Sequence, residues 1–465
     1  MQRITRRGFL GASAGLLVTG AFGVLMGGCK PAATPAPTAA PQAAVPEVEE
    51  PVVADTPAGK VRFLERHNAA FGMVWDRAIS VFNERYPDVE VERIHPPGDE
   101  DHKTKLLAMV AGGDAPDVHW TTWDWVAQQK QGVYRNISPF MEADPTFDIG
   151  IYEPSWIDMW RQEDGVYGLP WDAFIFMLFY NKEIFDEKGL PYPDPNEAMT
   201  WQEVLATGQK IAEWDGARPI TLGTKQWVGG WGTWWSQLTQ AIDGWTLFDP
   251  EITRLNMDQP EVFQVLDWFG EWGWKHKVEP TPAIQTDIPM GFPSGKLGMA
   301  IMAVCQWSHT REQCDFEWDV APYPQWEGAS KKGVLGWVCP VNMVVGENPE
   351  NAYNFIKSVC GPEAYIELYD AGMSMPTLKE HVDPVHPAYL NSKPPENNQH
   401  TLEWAQYLQV PAPWNNAAWV EVLRIVNDAV TQVYLGEMTA EEALMDHAVP
   451  EANKVLTDMR EAGTL

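Results

Sequence analysis

Two Trp–Asp pairs carry the most specific chemistry in this sequence. Trp171 and Asp172 stand at the mouth of an uncharged run, Ala173 to Tyr180, and Trp123 and Asp124 lie in "TTWDWV", residues 121–126. An indole offers a flat apolar face, and a carboxylate accepts hydrogen bonds from hydroxyls. A sugar is the complement of that pair, with an apolar C–H face and a rim of hydroxyls. Other chemistries use the same groups. A polyol or peptide is the alternative guest, and carboxylates framed by aromatic rings also suit a polyamine through cation–π contacts. Carboxylates about 5–10 Å apart serve glycoside hydrolysis, which makes Asp124 and Asp172 a catalytic pair in the least favoured reading. A phosphate would need arginines, and Arg66 is the one at hand, so anionic ligands are disfavoured.

Further tryptophans extend the pattern. The chain has 24 among 465 residues, more than a core needs, since indole is hard to bury completely. In "WVGGWGTWW", residues 227–235, glycines allow close backbone approach to a ligand, with Trp231 the first candidate for stacking and Trp234 the second. The competing reading is a glycine turn leading into a buried aromatic helix. No phosphate-binding or dinucleotide glycine pattern follows a strand. "HVDPVHP", residues 381–387, is a Pro-rich loop, so neither a metal nor a cofactor is expected.

The elements that would position these residues follow from pattern. "KVRFLER" reads as a strand, and "WDRAISVFNERYP" has helical spacing at Ala78, Ile79, Phe82 and Tyr86. "DVEVERI" alternates as a strand, "KTKLLAMVAGG" is a helix stopped by Gly112 and Gly113, and "PDVHW" is the next strand. Strand–helix alternation implies an α/β fold with a mostly parallel sheet. The run Ala173–Tyr180 is too short to span a membrane and fits a strand buried on both faces. Pro260 opens a helix. Residues 419–435 form another, with Trp419 on its apolar face and a stop at Gly436. Thr439 and Glu442 form a capping box.

The amino terminus addresses the chain. Three arginines precede an uncharged stretch, Gly8–Gly28, that ends at Cys29. "TRRGFLG", with Arg6 and Arg7, resembles a twin-arginine export motif, and "LMGGC" resembles a lipobox whose cysteine, Cys29, is lipidated. An uncleaved membrane anchor is the alternative, and both place the folded part outside the cytoplasmic membrane. Residues 29–59 are rich in Pro and Ala and form an extended tether. The net charge of −31 repels phosphate backbones, which excludes nucleic acid as a partner. Cys305, Cys314, Cys339 and Cys360 allow three disulfide pairings, with buried free thiols equally open.

Several segments in order resemble extracellular solute-binding proteins of ABC importers, in particular the sugar-binding group that includes maltose-binding protein. They are "FNERYPDVEV", "LLAMVAGGDAPDV", "GVYGLPWDAFIFMLFYNKEIFDEKGL" with "TWQEVLATGQKIA", "FPSGKLGMAIM", "DVAPYP", "NAYNFIKSVCG" and "GEMTAEEALMDHAVPEANKVL". The resemblance covers about residues 60–460. It implies two α/β lobes with a cleft between them: residues 60–172 with 335–378, and residues 173–334 with 379–465. It implies closure on a ligand, no enzymatic activity, a sugar ligand, an ABC permease as partner and a monomer. On it, Asp124 matches the family's sugar-binding carboxylate. Trp171 and Asp172 fall at the hinge edge of the cleft. Trp307 ends a strand beneath the cleft, "GWVCP" with Trp337 is the returning crossover, and Trp419, with Trp414 before it, matches a sugar-stacking position. His67 and Asn68 follow the first strand, where the family often contacts ligand.

Overall fold

The computed structural model describes residues 58–66, 69–96, 101–121, 125–226, 234–281, 284, 291–409 and 416–465. The chain begins as its pattern predicts. Strand β1 (Gly59–Leu64) leads into helix α1 (Ala69–Arg85), strand β2 (Val89–Ile94), helix α2 (Asp101–Ala111) and strand β3 (Val118–Trp120). β1 pairs in parallel with both β2 and β3, so all three strands end at one edge of the sheet. Gly113, just past α2, takes a left-handed φ of 74°, the conformation that closes a helix.

The apolar run predicted as a buried strand is part of β4 (Gly168–Asn181), and every residue of β4 is buried. Its pairing changes partner midway. Residues up to Ile175 pair with β7 (Val334–Met343), whereas Phe176–Tyr180 pair with β5 (Met299–Ala303). β6 (Trp318–Ala321) pairs with the last part of β4. The path through the large sheet is β6–β4–β7–β3–β1–β2, with β5 also on β4.

This corrects the expectation of a mostly parallel sheet. Parallel pairing holds for β1, β2 and β3, but β7 is antiparallel to β3 and to β4, and β5 and β6 are antiparallel to β4. The reason is the long crossover. β4 leaves the first three strands and β7 returns alongside it, and a strand that goes and one that comes back must run in opposite directions.

The later helices start and stop where their sequence says. α5 (Pro260–Trp274) has proline in its first turn, and α7 (Trp419–Leu435) ends at Gly436 in the left-handed region. Thr439 and Glu442 make the reciprocal capping box. The four cysteines beyond residue 58 are free thiols. Among the described residues no helix is long and apolar enough to cross a membrane, and no group of three or more potential ligands would hold a metal ion.

Candidate functional site

The Trp–Asp pair sits on a β-bulge. Asp172 pairs with Cys339 and Pro170 with Pro340, so Trp171 is an extra residue on β4. Pro340 has no N–H to give the ladder, which is why the register slips there. A bulge bends its strand and re-aims side chains. Here the Trp171 ring lies flat on Trp75 of α1, with centroids 3.7 Å apart, and Trp120 meets it edge-on at 4.9 Å. Trp171 is therefore fully buried, with one ring face occupied, where the sequence suggested an open plate. The packing explains this: α1 carries Trp75 onto the same sheet face, and two indoles exclude more water together than apart. The Trp171 Nε1–H nonetheless has no hydrogen-bond partner.

Asp172 is 2% exposed. The Trp120 Nε1–H donates to its Oδ1 at 3.2 Å. The Arg66 guanidinium lies 4.8 Å from the Trp120 ring centroid and reaches the Cys339 Sγ at 3.8 Å. Burial pushes the Asp172 carboxyl up to about 7, against the pull of Arg66, the Trp120 N–H and the Cys339 thiol. Burial and then the charge of Asp172 raise the thiol of Cys305, which follows β5. Residues from β1, β3, β4, β7 and the end of β5 thus share one electrostatic environment. In open α/β sheets ligands bind where parallel strands end, and this cluster lies at that edge. The Thr121 N–H, one residue past β3, bonds to the Pro340 carbonyl, and Asp172 pairs with the residue beside Pro340.

Six of the predicted ligand residues adjoin described segments in sequence. His67 and Asn68 follow Arg66, Trp123 and Asp124 follow Thr121, Trp231 follows Gln226 by five residues, and Trp414 precedes α7. All six lie outside the described residues. The other tryptophans predicted as ligand residues, Trp171, Trp234, Trp307, Trp337 and Trp419, are buried. Trp234 opens helix α3 (Trp234–Ala241) and donates its Nε1–H to Asn427 Oδ1 at 2.8 Å. Trp307 opens helix α6 (Trp307–Gln313), packs on Tyr389 at 5.7 Å, and has no partner for its Nε1–H. Trp337 lies on β7 opposite Phe174 and edge-on to Trp160. Trp419 packs against Phe248 in the core. Trp234 and Trp419 thus hold α7 in place, and the structure does not bring them to the Asp172 cluster through any described contact.

Sequence reasoning missed three members of this cluster, Trp75, Trp120 and Cys339. Trp75 is 96 positions from its stacking partner, and periodicity carries no signal across that distance. Pro340 in an otherwise apolar strand was the available hint, because proline inside a sheet marks a bulge.

Solved structures share this architecture. An ABC substrate-binding protein from Listeria monocytogenes, in complex with cycloalternan, superposes with a TM-score of 0.76 at 22% identity, covering 86% of this chain and 100% of that one. UgpB from Mycobacterium tuberculosis, in complex with glycerophosphocholine, gives 0.73 at 17%, with 87% and 100% covered. The fold is that of the two-lobe α/β binding proteins, with a cleft between the lobes. A family model, bacterial extracellular solute-binding protein, matches residues 77–394, and the chain belongs to that family. The arabinooligosaccharide-binding protein of Halalkalibacterium halodurans is 25% identical over 215 residues. That match spans 46% of each chain, about half the length of that curated relative. Members of the family are extracytoplasmic binding proteins.

Proposed function

We propose that this protein captures a neutral carbohydrate, an oligosaccharide or glycoside, outside the membrane and delivers it to an ABC importer. The observation that carries the reading is the cluster of Asp172, Trp120, Trp171 and Arg66 at the edge where β1 and β3 end. It supplies a polar group suited to hydroxyls, held in place by packed indoles behind it. The loops that continue from that edge add Asp124, Trp123, His67 and Asn68, and Trp231 would stack on the guest from the other lobe. Trp414 would add to the proposed wall, and the buried Trp234, Trp307, Trp337 and Trp419 would support it from behind.

In this reading the lobes are residues 60–172 with 335–378 and residues 173–334 with 379–465. The change of pairing partner within β4 gives the hinge, and ligand favours closure by touching both lobes at once. Cys29 would carry the lipid that holds a monomer at the membrane, and the permease would be its partner there. A relative named for an arabinooligosaccharide and a solved structure in complex with cycloalternan support a glycan ligand. A cationic guest is the weaker reading, because a carboxyl whose pKa sits near 7 offers only a partial charge.

Titration of the purified exported protein with arabinotriose, maltotriose and mannobiose tests the proposal, with spermidine and glycerophosphocholine as controls. Binding to at least one glycan is expected, with altered tryptophan fluorescence and a stabilisation of about 2.7 kcal/mol at 100 times Kd. Binding to spermidine or glycerophosphocholine alone would overturn it.

A further inference from the structure

Strand β3 offers its two faces to different clusters. Trp120 turns to the indoles and Asp172. His119 and Thr121, its neighbours on either side, both meet the Tyr134 hydroxyl, which lies 2.8 Å from His119 Nδ1 and 3.3 Å from Thr121 Oγ1. Alternation along a strand puts these two on the face opposite Trp120. Behind them, His119 Nε2 lies 2.8 Å from Nδ1 of His102 on α2. All four side chains are buried. Tyr134 is itself tied to the sheet by a bridge to Val344, just past β7, and the Thr121 N–H bonds to the Pro340 carbonyl of β7. The end of β3 is thus gripped by β7 through its backbone and by Tyr134 through its side chains.

The polarity of this chain of hydrogen bonds follows from its protons. The Tyr134 hydroxyl has one proton and gives it to Thr121. It therefore accepts from His119 Nδ1, which leaves His119 Nε2 to accept from His102 Nδ1. A proton taken up by His119 has only Nε2 to go to, where it would face the His102 N–H across 2.8 Å. Two donors cannot share that contact, so the ring must turn and release Tyr134. The groups that face His119 are His102 and Lys103 of α2, Arg66 beyond β1, and Tyr134. Burial first, then His102, Arg66 and Lys103, keeps its imidazole neutral well below the ordinary value. The chain is therefore intact at neutral pH and opens in acid.

We propose that Tyr134 is a positioning residue for the Trp120–Asp172 site, and that the neutral His102–His119 pair holds it in place. Gripping the chain on both sides of Trp120 fixes the direction of its indole N–H, which donates to Asp172 at 3.2 Å. A polar group serves a ligand only as well as its supporting shell holds it, so loosening Trp120 loosens the carboxyl it orients. This rests on the carbohydrate reading above, in which Asp172 meets the guest. It adds a sensitivity to acid that comes from the opposite face of β3.

The test measures Kd for arabinotriose or maltotriose, whichever the exported protein binds more tightly, from pH 8 to pH 5 in wild type, Tyr134→Phe and His119→Gln. At pH 8 each variant binds roughly three- to tenfold more weakly than wild type, the worth of one hydrogen bond. The ratio to wild type then falls towards one as the pH drops, because wild type loses the clamp as well. Asp172 titrates in all three proteins, so its own effect divides out of the ratio. A merely structural Tyr134 would lower Tm and leave the ratio constant with pH, which overturns the proposal. So does an unchanged Kd at pH 8. Hydrogen exchange of the Thr121 amide in the ligand-free proteins at neutral pH gives a second reading. It is faster in both variants, while the amides of α1 exchange as in wild type. Equal rates at Thr121 overturn the clamp whatever the ligand. If wild type binds no glycan, the carbohydrate reading fails, and the exchange comparison alone then decides the clamp.

Discussion

Replacing Asp172 by asparagine isolates the charge of one buried group. Asn has the shape of the protonated acid, and its Oδ1 still accepts the Trp120 N–H bond seen at 3.2 Å. The carboxyl titrates near 7 in the folded chain against an ordinary value of 3.8, so between those limits the native state binds more protons than the unfolded one. Stability from this group is then fully present below about pH 4 and is lost as pH rises through 7. Linkage puts the loss between pH 5 and pH 8 at roughly 2–3 kcal/mol, with about 4 kcal/mol as the ceiling for a shift of this size. Asn does not titrate. The Asp172→Asn protein should therefore gain on wild type by that amount from pH 5 to pH 8, whatever fixed offset the substitution brings. Urea unfolding of both proteins, ligand-free, in steps from pH 5 to pH 9 measures the difference directly. The Glu279 carboxyl, pushed up to about 8 by burial, contributes a slope of the same sign, but it is common to both proteins and cancels. A wild-type-minus-variant difference that stays flat with pH, or runs the other way, refutes the claim that Asp172 is buried with a raised pKa beside Arg66.

The buried histidine pair gives a slope of opposite sign. His119 Nε2 lies 2.8 Å from His102 Nδ1, and His119 Nδ1 lies 2.8 Å from the Tyr134 hydroxyl. Burial, then His102, Arg66 and Lys103, hold the His119 imidazole well below its ordinary value. Its contribution is present above pH 6.5 and is lost as pH falls below it, so His119→Gln should flatten the acid limb of an unfolding series. Trp171→Ala removes the ring stacked on Trp75 and should cost about 3–5 kcal/mol of unfolding free energy. Trp234→Phe loses the indole bond to Asn427 and should cost about 1 kcal/mol, both read from denaturant midpoints. Cys29→Ser should shift the protein from the membrane fraction to the soluble one after cell breakage, if the lipid is its anchor.

Much of the fold was legible because its early elements are governed by local rules. The strand–helix alternation from β1 to β3 shows in periodicity, and Gly112–Gly113, Pro260, Gly436 and the Thr439–Glu442 box mark helix ends through contacts within a turn or two. The direction of β4 and β7 was not legible, since antiparallel crossover strands depend on where the chain returns some 160 residues later. The Trp–Asp pair was correctly singled out as unusual, but its consequence was hidden. Asp172 faces a polar cluster while Trp171 stacks into the core, and only the bulge at Pro340 separates those outcomes. His102 and His119 gave no signal at all. They lie 17 positions apart, on a helix and a strand, and neither neighbourhood has a motif.

A crystal structure with the tightest-binding glycan tests the proposed site most directly. The sugar is expected at the ends of β1 and β3, with a hydroxyl bonded to Asp124 or Asp172 and a ring face on Trp231 or Trp123. A glycan bound elsewhere, with both carboxylates and both indoles out of contact with it, would contradict that site.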